Sequence, residues 1–396
     1  MIAAGMGDER LRAAVSASRR SEIDSFIVMD VMAAAAAREL AGAHIIHMEV
    51  GQPGTPAPKA AREAVKRALD TDTLGYTLAL GTDALRERIA RYYRETYGVT
   101  ISPERVVVTA GSSAAFVLAF LACFDAGDRV LLPSPGYPCY RHILTALGQS
   151  PVMVETGPDT RWMPTVEGIG AAATASGARG LLIASPANPT GTMIEPERLA
   201  GIAKACRSLG LWFISDEIYH GLTYGGPAVT ALQFCDGAIV INSFSKYFSM
   251  TGWRIGWMVV PPQLVRPIER LAQNLYISPP AVSQVAALGA FDGGEELEAN
   301  RAVYAANRAL LLEELPRAGF TSLVPADGAF YLYADISHLT GDSVAFCRRM
   351  LAEAGVAATP GVDFDAERGG RFVRFSYARS TADIAEGVRR LKAWGK

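Results

Sequence analysis

The 396-residue sequence has few cysteines, and their spacing matches neither a metal site nor a disulfide framework. The five cysteines are widely separated: Cys123, Cys139, Cys206, Cys235 and Cys347. Their number is odd and no C-x-x-C pair occurs, whereas zinc sites and disulfide-rich domains use closely spaced or even-numbered sets. The pattern predicts free thiols, as expected of a protein in a reducing compartment such as the cytoplasm.

The sequence also lacks an excess of charge of one sign and any long apolar run. Lys and Arg number 38 against 40 Asp and Glu, a net charge of −2, so nothing favours nucleic acid or an anionic membrane as a partner. The first twenty residues include Asp8 and Glu9 and no apolar core, unlike a secretory signal. The longest apolar runs, such as residues 28–37, are too short to span a bilayer. We therefore expect a cytoplasmic protein.

Lysine is scarce among the basic residues, since six of the 38 are Lys. Lys246 is the only lysine between Lys204 and Lys392, and it lies in the segment SFSKYFSMTGWRIG, residues 243–256. A chain that otherwise uses Arg has a Lys here among serines and aromatics. Only Lys can become a neutral amine nucleophile, so this position indicates a chemical requirement.

The apolar pattern predicts an α/β protein. Helical periodicity occurs at 28–41, 58–70 and 83–98. Six short apolar runs follow, at 105–109, 129–135, 180–186, 211–218, 238–245 and 254–261. Runs of this kind that alternate with helices indicate a mostly parallel sheet covered on both faces. The segments FYLYADI and RFVRFSYA near the C-terminus predict a smaller α+β domain, for which the chain is long enough.

Unusual residues lie at the end of five of these runs or directly after it. They are Gly111-Ser112-Ser113, Gly136-Tyr137, Asn188-Pro189-Thr190-Gly191, the set Asp216, Glu217 and Tyr219, and Lys246. In an open α/β sheet, ligands bind beyond the carboxyl ends of the strands. We therefore expect these side chains to converge on one binding crevice.

Part of this set suits a phosphate attached to a flat ring. Ser112 and Ser113 open a predicted helix, whose free N–H groups and hydroxyls can bind phosphate. Arg254, eight residues after Lys246, can add a bidentate contact. Tyr137 offers an aromatic face on which a ring can stack.

The remaining residues suit a pyridine ring that carries an aldehyde. Asp216 ends a buried strand, where an isolated charge is costly unless it pairs with a cationic ring nitrogen. Asn188 and Tyr219 can donate to a phenolate oxygen, and Lys246 can form a Schiff base with an aldehyde. Phosphate, pyridinium, phenolate and aldehyde together describe pyridoxal 5′-phosphate.

With these residues identified, the chain resembles the class I/II aminotransferases of the pyridoxal-phosphate fold type I superfamily, particularly the I-gamma-like subgroup. The matching segments are SFSKYFSMTGWRIGW, ANPTG, DEIY, PSPGYPCY and GYTLALGTDALRERIARYY, and the resemblance runs from about Met48 to Tyr377. It implies an aspartate-aminotransferase-like fold, with a mostly parallel seven-stranded sheet sandwiched by helices in a large domain at 51–285. The smaller α+β domain would comprise 1–50, with an N-terminal arm, and 286–396.

The resemblance also implies roles for individual residues in cofactor binding. The contacts would come from Ser112, Ser113, Tyr137, Asn188, Asp216, Tyr219, Ser243, Lys246 and Arg254. Lys246 would hold the cofactor as a Schiff base and then move the proton between Cα and C4′. Asp216 would keep the ring nitrogen protonated, while Asn188 and Tyr219 would bond the ring oxygen. Ala184 departs from the family, which often has Asn there.

Substrate and subunit contacts follow from the same resemblance. Arg374 would bind the substrate α-carboxylate, and we prefer it to Arg371 because strand alternation places the two on opposite faces. Asn188 would also contact the substrate, and Gly51 would let the N-terminal loop approach it. Tyr76 would reach the cofactor phosphate of a neighbouring subunit, which implies a homodimer with shared active sites.

These observations favour an aminotransferase that moves an amino group from an L-α-amino acid to a 2-oxo acid by a ping-pong mechanism. A β-C–S lyase on the same fold stays open, because the motifs do not distinguish the two reactions. A ligand-sensing regulatory domain would need a DNA-binding module, for which the residues before His44 are too few. His44 and His47 receive no role and no metal site is expected, since no carboxylate or Cys cluster accompanies them. The substrates stay undecided at this stage.

Overall fold

Residues 16–395, the part of the chain that the computed structural model describes, contain twelve α-helices and thirteen β-strands. Asp8 and Glu9 lie outside these residues. The helices are α1 Ile27–Leu40, α2 Lys59–Thr71, α3 Asp83–Tyr97, α4 Gly111–Cys123, α5 Pro138–Ala146, α6 Val166–Ser176, α7 Pro196–Leu209, α8 Pro262–Leu275, α9 Ala281–Ala290, α10 Gly294–Glu314, α11 Ser343–Arg349 and α12 Thr381–Trp394. The strands are β1 Ile46–His47, β2 Val106–Thr109, β3 Arg129–Ser134, β4 Ser150–Glu155, β5 Gly180–Ala184, β6 Trp212–Asp216, β7 Ile239–Ser243, β8 Gly256–Val259, β9 Ser322–Leu323, β10 Tyr331–Asp335, β11 Val356–Ala357, β12 Thr359–Pro360 and β13 Phe372–Ser376.

The central sheet has seven strands in the order β2-β8-β7-β6-β5-β3-β4, and all pairs are parallel except those of β8. This confirms the predicted mostly parallel seven-stranded sheet and each of the six apolar runs. The seventh strand, β4, had no apolar run of its own. It is an edge strand that pairs only with β3, and most of its residues keep some contact with solvent, so it needed no continuous apolar sequence.

Helices cover both faces of this sheet, as the apolar runs predicted. Val106 and Val108 pack on one face, against helices that include α3 and α7. Val107 points to the other face, which is covered by α4, α5 and α8. Because successive side chains of a strand alternate, a strand covered on both sides must be apolar at every position.

A smaller antiparallel sheet has the order β12-β13-β10-β9, and its two central strands, β10 and β13, lie in the C-terminal segments FYLYADI and RFVRFSYA. Beside it, β1 pairs in parallel with β11, and the Ser376 N–H donates to the Met48 carbonyl at 2.7 Å. The N-terminal segment thereby runs along the C-terminal sheet toward the carboxyl ends of the central strands. Among the helices of residues 16–395, none is both long enough and apolar enough to cross a bilayer.

Candidate active site

A cavity of about 560 Å³ opens at the carboxyl ends of the central strands, next to β10 and β13. Nine of the twelve predicted site residues line it: Gly51, Ser112, Ser113, Tyr137, Asn188, Tyr219, Lys246, Arg254 and Arg374. Parallel strands bring their carboxyl ends to one edge, so residues distant in sequence meet there. The structure therefore brings together most of the predicted set.

Lys246 lies just beyond the end of β7, inside the cavity. Its Nζ donates to the Gly51 carbonyl at 2.7 Å. Burial lowers the pKa of the Lys246 ammonium to about 8, and the charges of Arg374 and Arg254 act in the same direction. A lowered pKa makes the neutral, nucleophilic amine accessible near neutral pH.

Asp216 does not line the cavity but lies buried at the end of β6. Burial raises the pKa of this carboxyl to about 6. Three contacts oppose this effect and lower the pKa: hydrogen bonds donated by the Tyr140 hydroxyl and the Ile218 N–H, and the positive charge of Lys246. Tyr140 was not predicted, although it lies one helical turn after Tyr137 in α5. A cationic partner would favour the Asp216 carboxylate further, as a protonated ring nitrogen does.

The N-terminus of α4 faces Arg254 across a space that only glycine leaves open. Gly111 has φ +78°, and a Cβ there would overlap the Arg254 guanidinium. A Cβ on Gly256 would lie 3.1 Å from the Ser112 backbone nitrogen. Helix N–H groups, the hydroxyls of Ser112 and Ser113, and one guanidinium form a donor set suited to phosphate.

Arg374 is a fully buried cation on β13. Its guanidinium donates to the Asn188 side-chain oxygen at 2.8 Å, to the Thr359 hydroxyl at 3.2 Å and to the Glu49 carbonyl. Its Nε has no hydrogen-bond partner among the described residues. Arg371, by contrast, is exposed and precedes the strand. The structure therefore places Arg374 and not Arg371 at the cavity.

Tyr331, which the sequence analysis missed, joins three of the predicted residues. Its hydroxyl lies 2.8 Å from that of Tyr219, and the Arg374 guanidinium lies over its ring at 4.3 Å. A Cβ on Gly51 would overlap the Tyr331 hydroxyl. The close approach that requires glycine at position 51 is thus to Tyr331.

Besides Asp216, two predicted residues lie apart from the cavity wall. Ser243 is buried and donates to the Ser245 hydroxyl at 2.8 Å, and Ser245 lines the cavity. Tyr76 is 84% exposed and lies in a separate groove with Leu69, Leu74, Pro279 and Pro280. Within one chain Tyr76 does not reach the site.

Helix α1 supplies one wall of the cavity, which the sequence analysis did not foresee. Val28, Met29 and Met32 of this helix line it, as does Phe26 immediately before the helix. The sequence predicted the helix, at 28–41, but contained no signal for what it packs against.

His47 connects α1 to the segment that leads to Gly51. Its Nδ1 lies 2.8 Å from the Glu49 carboxylate and its Nε2 lies 3.0 Å from that of Glu39 on α1. These hydrogen bonds, chiefly that of Glu49, raise the pKa of His47 to about 9, against the opposing effect of burial. The imidazolium thus bridges two carboxylates.

Replacement of this histidine is expected to have a pH-dependent effect on stability. Because the folded-state pKa exceeds the ordinary value of 6.5, the cation stabilises the fold below about pH 6.5 and this contribution is lost as pH rises through about 9. We expect His47→Gln to lower the urea midpoint of unfolding more at pH 6 than at pH 9.5. Glu39→Gln in the wild-type background should shrink the same pH dependence. Equal destabilisation by His47→Gln at both pH values would contradict the bridge.

Comparison with known proteins gives a consistent result. A family model described as aminotransferase class I and II matches residues 43–391. A valine–pyruvate aminotransferase from Mycobacterium tuberculosis is 50% identical, covering 95% of this chain and 97% of its own. A (5-formylfuran-3-yl)methyl phosphate transaminase from Methanocaldococcus jannaschii is 35% identical, covering 94% and 98%. A crystal structure of an aminotransferase from Mycobacterium tuberculosis superposes with a TM-score of 0.94 at 49% identity, over 96% of this chain and 99% of that one.

Proposed function

This chain belongs to the class I and II aminotransferases, and from that premise we propose that it transfers the amino group of a neutral, apolar L-α-amino acid such as valine to pyruvate. It is a pyridoxal-phosphate-dependent enzyme that works between an amino acid and a 2-oxo acid. The observation that carries the substrate proposal is the cavity lining, which is apolar on the side of α1. The relative that is 50% identical, a valine–pyruvate aminotransferase, acts on substrates of the same class.

The residues present fit the cofactor. The donor set at the start of α4, together with Arg254, suits its phosphate, and glycine at positions 111 and 256 allows the start of α4 to lie against Arg254 and β8. Asp216 lies buried with a carboxylate that needs a cationic partner, and Lys246 provides an amine. When bound, pyridoxal phosphate supplies an electron sink for the charge left when a proton leaves the substrate Cα.

We assign the other roles to residues of the chain. Lys246 would bind the cofactor aldehyde, and its Nζ would accept the proton from the substrate Cα. Asp216 would hold the ring nitrogen protonated, while Tyr140 orients that carboxylate. Asn188 and Tyr219 would donate to the ring oxygen, and Tyr137 would offer its ring for packing against the cofactor.

Substrate orientation is assigned to the buried cation at the cavity. Arg374 binds the α-carboxylate, because a guanidinium pairs bidentately with a carboxylate and its Nε is without a partner in the described part of the chain. Its contact to Asn188 couples the substrate site to the cofactor site. The Gly51 carbonyl, which accepts from Lys246, keeps the amine directed into the cavity.

The cations that line the cavity bear on substrate specificity. Among the described residues that line it, the cations are Lys246, Arg254 and Arg374. Each already has an assignment, to the aldehyde, the phosphate and the α-carboxylate. A side-chain carboxylate would therefore enter an apolar wall without a partner, which is costly.

We also propose that the enzyme is a cytoplasmic homodimer. Tyr76 is exposed and lies in a groove with apolar neighbours, as expected if it contacts a second copy and reaches that copy's phosphate site.

The division into a large cofactor-binding domain at 51–285 and a smaller one from the remaining residues agrees with the positions of the two sheets.

The substrate class can be tested by adding single amino acids to the holoenzyme in the absence of a 2-oxo acid acceptor. The visible absorbance of the lysine-bound cofactor should fall with valine and alanine at least about a hundredfold faster than with aspartate, because an unpaired buried charge costs about 3 kcal/mol or more. Pyruvate should then restore the absorbance. Faster reaction with aspartate would contradict the proposal. Release of pyruvate and ammonia from a cysteine S-conjugate would instead identify β-elimination.

A further inference from the structure

The N-terminal turn of α1 is stabilised by hydrogen bonds to a residue outside the helix. The first N–H groups of any helix lack partners in the helix itself. In α1 the N–H groups of Ile27 and Val28 donate to the two carboxylate oxygens of Asp363, at 3.2 and 3.3 Å. Asp363 is fully buried and lies more than 300 residues away in sequence. A carboxylate at this end of a helix is also favoured by the helix dipole.

Asp363 is itself attached to both sides of the cavity. The Arg141 guanidinium on α5 donates to the Asp363 carbonyl at 2.7 Å, and α5 begins directly after Tyr137. Asp363 also follows β12, whose Thr359 accepts from Arg374. Through its carboxylate, Asp363 binds the start of α1. Through the segment in which it lies, it contacts α5, which follows Tyr137, and adjoins β12, which contacts Arg374.

The turn that Asp363 holds contributes to the cavity wall. Val28, Met29 and Met32 line the cavity, and the Phe26 ring meets the Tyr137 ring edge-on at 5.6 Å. An apolar wall can distinguish substrate side chains only if its position is fixed, because a small gap between wall and side chain removes much of the van der Waals attraction. The position of this wall depends on the two hydrogen bonds to Asp363.

We propose that Asp363 is a positioning residue that fixes the N-terminal turn of α1 against the cavity and so sets the affinity for the substrate side chain. The proposal rests on the proposed function for its substrate class. It assigns no chemical step to Asp363, because the carboxylate is occupied by backbone N–H groups.

The test compares Asp363→Ala with Asp342→Ala as holoenzymes. Asp342 makes the same kind of contact at α11, where one carboxylate oxygen accepts from the Val344 and Ala345 N–H groups at 3.1 and 3.0 Å, but α11 does not line the cavity. Asp363→Ala should raise KM for valine about tenfold and KM for alanine about twofold, with kcat changed less than about twofold. Asp342→Ala should leave both KM values unchanged.

Hydrogen exchange gives a second readout that is independent of the substrate. The amides of the first turn of α1 should exchange at least about tenfold faster in Asp363→Ala and at the wild-type rate in Asp342→Ala. Asp363→Asn, which keeps one acceptor oxygen, should recover part of both effects and serves if the alanine variant does not fold. Unchanged exchange in α1, or equal KM changes for valine and alanine, would overturn the proposal. If the wild-type enzyme did not use valine, only the proposed substrate class would be wrong. The role of Asp363 would still be tested by hydrogen exchange in α1, which does not depend on the substrate.

Discussion

Lys246→Ala is expected to lower kcat for transamination by a factor on the order of 10⁴ or more, because loss of a nucleophile that also serves as a base removes two functions at once. The partly buried position of this side chain in the cavity and its lowered pKa suit it to both functions. The protein should also lose the visible absorbance of the lysine-bound cofactor. Steady-state kinetics and an absorbance spectrum of the purified variant would measure the two effects.

Two further variants separate the chemistry of Lys246 from its charge. Lys246→Arg keeps a cation but cannot supply a neutral amine, so it should be as inactive as the alanine variant. Lys204→Ala removes an exposed lysine on α7 and should retain wild-type activity. Substantial activity in Lys246→Arg would show that the amine is not required.

Arg374→Gln is expected to reduce kcat/KM by about 10² to 10³-fold, which corresponds to about 3–4 kcal/mol, since truncating one partner of a buried charge pair costs this much. The loss should fall mainly on KM, for the amino acid and the oxo acid alike, because both carry the α-carboxylate. The visible absorbance of the bound cofactor should be unchanged. Half-reaction rates measured across substrate concentrations would distinguish an effect on KM from one on kcat.

Arg371→Gln is the matched control for this variant. It removes an arginine three positions earlier that is exposed and lies outside the cavity, so its kinetics should match those of the wild type. If Arg371→Gln raised KM and Arg374→Gln did not, the assignment of the carboxylate contact would be wrong. Loss of the cofactor absorbance in Arg374→Gln would point to a structural defect.

The sequence was sufficient for residues that follow a strand directly. Lys246, Asn188 and Tyr219 could be placed because their strands are short, apolar and parallel, and the carboxyl ends of such strands meet at one edge. Asp216 could be predicted from the free-energy cost of burying an unpaired charge, since a carboxylate at the end of a buried strand needs a partner. Ser243, which only the family resemblance implied, is buried and does not line the cavity, whereas its hydrogen-bond partner Ser245 does.

Residues brought in from elsewhere in the chain could not be predicted this way. Tyr140 and Tyr331 are aromatic residues among many, and nothing local shows that one donates to Asp216 or that the other touches Tyr219. The cavity wall formed by α1 is a further case. Helical periodicity identified the helix, but a helix with apolar residues can pack on any apolar surface.

The sequence by itself determined the alternation of strands and helices, the strand-end residues and, through them, the cofactor and the family. These depend on local periodicity and on chemistry confined to a few consecutive positions. Only the tertiary structure decided that α1 lines the cavity, that Asp363 accepts from the first N–H groups of α1 and that His47 bridges two carboxylates. Such contacts join residues far apart in the chain, and their energies depend on burial and distance, which a linear pattern does not contain.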